Sequence, residues 1–241
     1  MSEIRDYKAP KKTRIASEDS VYDIHAHDIN LKTNEIFLFG VENYIAGVGA
    51  NESEEPGIEF VIANRFLRNI HLCMRTNPGK PLLIHMKTNG GYWEEGMAIY
   101  DAIKAYPSPV TILSYTHARS MSSLIFLAAN KRVMMPNSYF MFHDGTMGID
   151  GTTKQVESAV EFGKAATDVM MGIYVNAMKE TGSMSNKSEK QIYNWLRGEM
   201  DRKEDVYIPA KQAVELGFAD EIFDANWERL TEDYSDLQLA R

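Results

Sequence analysis

A serine at the start of a predicted short helix is the residue best placed for nucleophilic chemistry. Ser120 follows a buried strand predicted over 110–115 and begins a helix predicted over 120–130. A hydroxyl at a helix start lies near backbone N–H groups without partners and near the positive end of the helix dipole, which favours a nucleophile whose transition state becomes an anion. Serine is also a preferred helix cap. Ser120 alone therefore leaves a catalytic role and a capping role open.

A pair of glycines follows another buried strand, predicted over 81–86. In the turn Asn89-Gly90-Gly91, the glycines allow positive φ angles and a close backbone approach to a substrate, as an oxyanion hole requires. A plain tight turn has the same composition. Because ligands bind at the carboxyl ends of parallel strands, we expect this turn and the Ser120 turn to lie at the same edge of a sheet.

A serine nucleophile needs a base, and the chain has six histidines. His143 is the best candidate because it ends a strand predicted over 139–142 and precedes the turn Asp144-Gly145. His117 lies three residues before Ser120 and fits either a site-lining or a packing role. The other four lie in an amphipathic helix, a buried strand and a polar N-terminal segment, where structural roles are expected: His71, His85, His25 and His27. The chain has 34 Asp and Glu residues, and their spacing does not identify which carboxylate would orient the histidine of a triad.

Strands alternate with helices through the first half of the chain, which predicts an α/β fold with a mainly parallel sheet. Further strands are predicted over 35–40 and 132–135, and helices over 58–74 and 94–106. The second half has a long amphipathic helix that ends near Gly182, a capping box at Ser188–Gln191, and a strand, helix and glycine cap over 205–217. We therefore expect one domain over 28–225, a mobile basic arm over 1–27, a loop over 46–57 and a tail over 226–241.

Composition excludes several classes of protein. The chain has 241 residues, is 44% hydrophobic and carries a net charge of −8, which suits one domain with a sizeable core and argues against a nucleic-acid partner. The single cysteine, Cys73, allows neither an internal disulfide nor a Cys-rich zinc site, and no metal is expected. The longest apolar run, 124–129, is far shorter than the roughly 20 residues that span a bilayer. The sequence predicts a cytoplasmic protein without a membrane partner.

Several motifs, taken in order, resemble the proteolytic subunit of the Clp protease (ClpP). The resemblance extends from Asp28 to Ile222 and is carried by Asn89-Gly90-Gly91, Gly96-Met97-Ala98-Ile99-Tyr100-Asp101, Ala118-Arg119-Ser120-Met121, Pro136-Asn137-Ser138, Met141-Phe142-His143 and the block 205–220. The resemblance implies a ClpP/crotonase-like fold of repeated β-α-β units with a protruding helix-strand handle at about 145–182.

The same resemblance implies roles for individual residues. Ser120 would be the nucleophile, His143 the general base and Asp205 the acid, with the backbone N–H groups of Gly91 and Met121 forming the oxyanion hole. Four further residues would line the site: Gly90, His117, Arg119 and Asp144. No cofactor is implied in the subunit itself.

Four positions depart from the family pattern. Asn89 replaces a proline, Arg119 a small residue and Ser122 a glycine, and Asp144-Gly145 replaces Gln-Pro. Arg119 either favours acidic peptides or forms a salt bridge, and Asp144 is expected to pair with His143 or Arg119. The stretch from His143 to Asp205 is longer than usual, with the surplus expected at about 184–202.

The implied function is a serine endopeptidase that degrades unfolded polypeptides or peptides inside a chamber of stacked heptameric rings. An AAA+ Clp ATPase would use ATP to feed this chamber, rings would contact each other through 145–179, and the basic arm 1–14 would guard the pore. Two alternatives remain: a catalytically silent ring subunit or scaffold, because Arg119 and Asp144 crowd the site, and a crotonase-type acyl-CoA enzyme.

Overall fold

Short buried strands alternate with amphipathic helices along the chain, and together they form one mixed sheet with helices packed against it. The computed structural model describes residues 18–39 and 57–231. The helices in these ranges are α1 (Glu18–His27), α2 (Phe60–Thr76), α3 (Trp93–Lys104), α4 (Met121–Leu127), α5 (Thr153–Thr181), α6 (Glu189–Lys203) and α7 (Ala210–Leu216). The strands are β1 (Ile29–Asn30), β2 (Glu35–Phe39), β3 (Leu82–Thr88), β4 (Val110–Arg119), β5 (Lys131–Met134), β6 (Tyr139–Phe142), β7 (Val206–Pro209) and β8 (Glu221–Ile222).

The sheet has the strand order β1-β2-β3-β4-β5-β8, and the pairs from β2 to β8 along this path are parallel. The first half of β4 pairs with β5, whereas its last residues pair in parallel with β6. Strand β7 then adds to β6 in the antiparallel direction, as β1 does to β2. The predicted α/β fold with a mainly parallel sheet is confirmed.

Alternate residues of the central strands enter two different hydrophobic clusters. In β3, Leu82 and Ile84 belong to the main core with α2 to α7, whereas Leu83 belongs to a smaller cluster with Leu113, Val133 and Leu230. This alternation follows from the two-residue period of a strand. The C-terminal segment through Leu230 thus covers part of the sheet face that the helices leave open.

Helix ends that were predicted from local capping and turn residues lie where the sequence predicts them. The capping box at Ser188 and Gln191 is formed, and Gly217 ends α7 in the left-handed conformation. Strand β4 continues to Arg119, beyond the predicted end at 115, because residues 117–119 pair with β6.

The handle was predicted to contain a helix and a strand, and the structure has only the helix. Helix α5 protrudes, since its buried residues begin only at Met170. Residues 145–150, where the resemblance implied a strand, have no regular structure. A strand requires a hydrogen-bonding neighbour, and the isolated chain provides none to this segment.

Some sequence predictions lie partly or wholly outside the described residues. They are the part of the basic arm up to residue 17, for which the gate role was predicted, most of the loop 46–57, and the tail beyond 231. Residues 18–27, assigned to the arm from sequence, form α1. Within the described ranges, no helix is both long and apolar enough to cross a bilayer.

Candidate active site

Two backbone turns, at the carboxyl ends of β3 and β4, contact each other. Gly90 has φ 93° and Gly91 has φ 154°, both favoured by glycine, and Ser120 has φ 51° despite its side chain. A Cβ atom added at Gly90 would lie 2.8 Å from both Ser120 Cβ and Met121 N. The close approach of the two turns therefore requires glycine at position 90.

The glycine turn is also fixed from its outer side by Ile58. The Ile58 N–H donates to the Gly90 carbonyl at 2.6 Å, and the Tyr92 N–H donates to the Ile58 carbonyl at 2.9 Å. This parallel bridge uses groups on either side of Gly91, so the Gly91 N–H faces away from Ile58. Met121 is the first residue of α4, and its N–H lacks an acceptor within the helix.

The Ser120 side chain does not cap α4. It makes no capping hydrogen bond, and its Oγ lies 2.8 Å from His143 Nε2. Its backbone, at φ 51° and ψ −132°, lies in a region that residues with a Cβ seldom occupy. The capping role that the sequence left open is therefore not used, and the hydroxyl points to a base.

His143 and Asp205 meet through the β6–β7 pair. His143 directly follows β6, Asp205 directly precedes β7, and Phe142 lies opposite Val206 in the antiparallel register. This register brings together two residues 62 positions apart, with His143 Nδ1 3.1 Å from Asp205 Oδ1. In the tautomer with the proton on Nδ1, the imidazole donates to the carboxylate and Nε2 accepts from Ser120.

The second carboxylate oxygen of Asp205 accepts a hydrogen bond from the Tyr207 hydroxyl at 3.3 Å. Desolvation and then the nearby Asp205 charge raise the pKa of Tyr207, which keeps its hydroxyl protonated and able to donate. The His143 and Asp205 side chains are 22% and 44% exposed, so a substrate can reach the group from solvent. Sequence reasoning missed Tyr207, and no spacing in the sequence indicated it.

The partner expected for Asp144 is wrong. Its carboxylate binds Arg197 of α6, with distances of 2.5 and 2.7 Å from Nη1 to the two oxygens, instead of His143 or Arg119. Arg197 lies 53 residues away, so only the tertiary packing of α6 determines this pair. Arg119 donates to two neutral groups, Asn89 Oδ1 and the Tyr139 hydroxyl.

His117 lies on the same face of β4 as Arg119, but it is buried and packs against Tyr139. The two ring centroids are 5.4 Å apart, and the residues are partners in the β4–β6 register. Of the two roles left open for His117, the structure therefore places it in packing. His85, in the buried strand, lies 2.9 Å from the Tyr115 hydroxyl through Nδ1.

A second pair missed by sequence reasoning lies beneath the Ser120 turn. Ser123 Oγ is 2.6 Å from the Ser120 carbonyl oxygen and 2.7 Å from the hydroxyl of Tyr174 in α5. Burial raises the pKa of Tyr174, which keeps this phenol neutral. The available signal was a polar residue in the predicted helix 120–130, directly before the apolar run 124–129, since polar residues in buried segments need hydrogen-bonding partners.

No group of three or more His, Cys, Asp or Glu side chains suited to a metal ion occurs among residues 18–39 and 57–231. The candidate site therefore comprises the Ser120, His143 and Asp205 side chains and the two adjacent turns that contain Gly91 and Met121.

Comparisons with known proteins agree with one another. A family model described as Clp protease matches residues 55–226. The ATP-dependent Clp protease proteolytic subunit of Deinococcus radiodurans is 27% identical over 173 residues, which cover 71% of this chain and 78% of that protein. Proteolytic subunit 1 of Protochlamydia amoebophila is 31% identical over 167 residues, covering 68% and 75%. A solved structure of a ClpP1 mutant from Listeria monocytogenes shares the fold, with a TM-score of 0.63 over 83% of this chain and 96% of that chain, at 20% identity.

Proposed function

This chain belongs to the Clp protease family, and on that premise we propose that it is a serine peptidase with the triad Ser120, His143 and Asp205. The observation that carries the proposal is the Ser120 hydroxyl, which leaves its helix uncapped and lies 2.8 Å from His143 Nε2. Asp205 holds the other imidazole nitrogen at 3.1 Å.

Each side chain then has one chemical role. His143 takes the Ser120 proton as Oγ attacks a peptide carbonyl, and it returns that proton to the leaving amine, which gives an acyl-enzyme. Water, activated by the same imidazole, hydrolyses the ester and regenerates Ser120. Asp205 remains ionised, orients the ring and stabilises the imidazolium. The chemistry requires no cofactor within the subunit.

The oxyanion formed by the attack would be bound by the N–H groups of Gly91 and Met121. A Cβ atom added at Gly90 would lie 2.8 Å from Met121 N, so the turns that carry the two N–H groups pack against each other, which supports this assignment. Donors aimed at the developing charge contribute about 100- to 1000-fold each to the rate in comparable enzymes.

The substrate we propose is an unfolded polypeptide or peptide, cleaved within a chamber of stacked heptameric rings in the cytoplasm. Relatives named as ATP-dependent Clp protease proteolytic subunits support a partner ATPase of the AAA+ Clp type, which would use the ATP. The protruding half of α5 and the segment before it expose apolar side chains suited to contact between rings: Met147, Ile149, Val160, Phe162 and Val169.

Labelling by a fluorophosphonate on size-fractionated protein tests the proposal. We expect the wild type to be labelled in an oligomeric fraction and to cleave a fluorogenic peptide. Ser120→Ala should lose both signals while its elution is unchanged. Ser185→Ala, which changes an exposed serine outside the site, should keep them. An unlabelled wild type, or labelling that survives in Ser120→Ala, would contradict the proposal.

The alternative of a silent ring subunit depended on crowding by Arg119 and Asp144. Each of these side chains has its own partner, and neither interrupts the Ser120–His143 contact, which favours an active site. Oligomers that are never labelled would support the silent subunit. Similarity to named peptidase subunits favours a peptide over an acyl-CoA substrate.

A further inference from the structure

The residues that immediately precede the two turns of the site are hydrogen bonded to each other. Asn89 precedes Gly90-Gly91, and Arg119 precedes Ser120. Arg119 Nη2 donates to Asn89 Oδ1 at 2.5 Å, and Nη1 donates to the Tyr139 hydroxyl at 3.4 Å. The planar guanidinium therefore joins one turn to the other and is itself held by β6.

A second link between the same turns runs through the hydroxyl of Ser122, which is fully buried. Its Oγ accepts from the Arg119 N–H at 3.0 Å and lies 2.7 Å from the Arg119 carbonyl oxygen and 3.0 Å from that of Thr88. The single hydroxyl proton serves one of these carbonyls at a time. Thr88 precedes Asn89, so this contact fixes the end of β3 against the Ser120 turn.

We propose that Asn89, Arg119 and Ser122 are positioning residues that set the separation of the two oxyanion-hole donors. The inference rests on the proposed peptidase function. Two N–H groups stabilise an oxyanion only when both lie 2.7–3.1 Å from it, and a displacement of about 1 Å can cost about 100-fold in rate. A turn made of two glycines has little conformational preference of its own, so its position depends on such external contacts.

The three residues are also three of the four positions at which the sequence departs from the family pattern. The Asn89 and Arg119 side chains bind each other, and the Ser122 hydroxyl contacts the backbone of Arg119 and Thr88, so all three lie between the two turns. Arg119 suits this role because its fork holds two acceptors at once in a fixed plane, whereas a lysine ammonium is a point charge on a flexible stem.

Single and double substitutions of the Asn89–Arg119 pair test the inference. For Arg119→Met and Asn89→Ala, we expect kcat for a fluorogenic peptide to fall about tenfold, with KM within about twofold of wild type. Binding of a peptide aldehyde, whose adduct with Ser120 carries the oxyanion, should weaken by a similar factor. The double variant should be no slower than the slower single variant, because both changes break the same bond. Ser122→Ala should show the same split between kcat and KM.

A matched control is Arg65→Met in α2, which breaks the ion pair with Asp28 at 2.6 Å and changes no residue of the site. It should keep wild-type kcat. The inference is overturned if the losses of kcat in the two single variants multiply in the double variant. It is also overturned if the single variants keep kcat within twofold of wild type.

Melting temperatures identify a variant that fails to fold, and in that case Asn89→Ala, the smaller change, decides the test. An unlabelled wild type overturns the proposed function and this inference together. A labelled wild type with unaffected variants overturns only the inference.

Discussion

Replacing Ser120 with glycine is expected to stabilise the protein relative to Ser120→Ala, although both changes remove the nucleophile. Ser120 has φ 51° and ψ −132°, a conformation that strains any residue with a Cβ by about 1–3 kcal/mol. Alanine retains this strain and glycine removes it. Both variants lose the hydrogen bond to His143, so that contribution cancels in the comparison.

The size of the difference follows from two opposing contributions. Relief of strain favours the glycine variant, while the greater freedom of glycine in the unfolded chain costs about 0.4–1 kcal/mol. The net advantage of Ser120→Gly over Ser120→Ala in the free energy of unfolding is therefore about 0–2.6 kcal/mol, with a midpoint of about 1.3 kcal/mol. For a chain of this length, that midpoint raises the melting temperature by roughly 3–5 °C.

The assay is thermal unfolding of both variants at one scan rate and one protein concentration, because the assembly state and irreversible steps also move the midpoint. The control is the same pair of substitutions at Ser123, in regular α4 helix. There, glycine should be less stable than alanine by about 1 kcal/mol. A Ser120→Gly variant that melts at or below Ser120→Ala would refute the strain argument.

Two other substitutions test backbone and burial. Gly91→Ala would place a Cβ 2.2 Å from the Ile58 carbonyl oxygen at φ 154°. We expect denaturant titration to show that the free energy of unfolding falls by about 1–3 kcal/mol or more. The control is Gly172→Ala in α5, where the added Cβ meets open space and should stabilise the helix. Burial raises the pKa of Cys73 from 9.0 to about 12. The unfolded thiol therefore ionises first, and the free energy of unfolding should be maintained below pH 9 and fall as pH rises toward 12. Urea titrations across this range should show a shallower fall for Cys73→Ala, and an equal slope in both proteins would contradict the assignment.

Local sequence signals predicted the elements that depend on neighbouring residues. Helix α7 covers the predicted residues and ends at Gly217, and the Ser188 capping box begins α6, because turn, cap and periodicity are set within a few positions. Strand β4 continues past its predicted end at 115 to Arg119 because its last residues pair with β6, whereas the end of β6 before His143 followed from the same local signals. The choice between cap and nucleophile for Ser120 did not, because it depends on a contact with a different strand.

Contacts over long sequence separations could not be predicted from spacing. Asp205 is one of many carboxylates, and only the β6–β7 register selects it, while the family resemblance supplied it in advance. Asp144 was assigned the wrong partner because Arg197 is brought near by the packing of α6. The hydrogen bond from Arg119 to Asn89 likewise joins the ends of two parallel strands, which no local pattern encodes.

The antiparallel pairing of β6 with β7 has a consequence for how this chain can vary. His143 follows β6 and Asp205 precedes β7. The chain between them, which spans 62 positions, is therefore closed at its base by the pairing of these two strands. The entropy of closing a loop rises only with the logarithm of its length, about 0.6 kcal/mol for each doubling. Extra length in an exposed, flexible part of this segment therefore weakens the histidine–aspartate contact very little. The exposed parts of this segment, outside the core residues of α5 and α6, can therefore change in length or acquire new contact surfaces over evolutionary time while the chemistry at its base is retained.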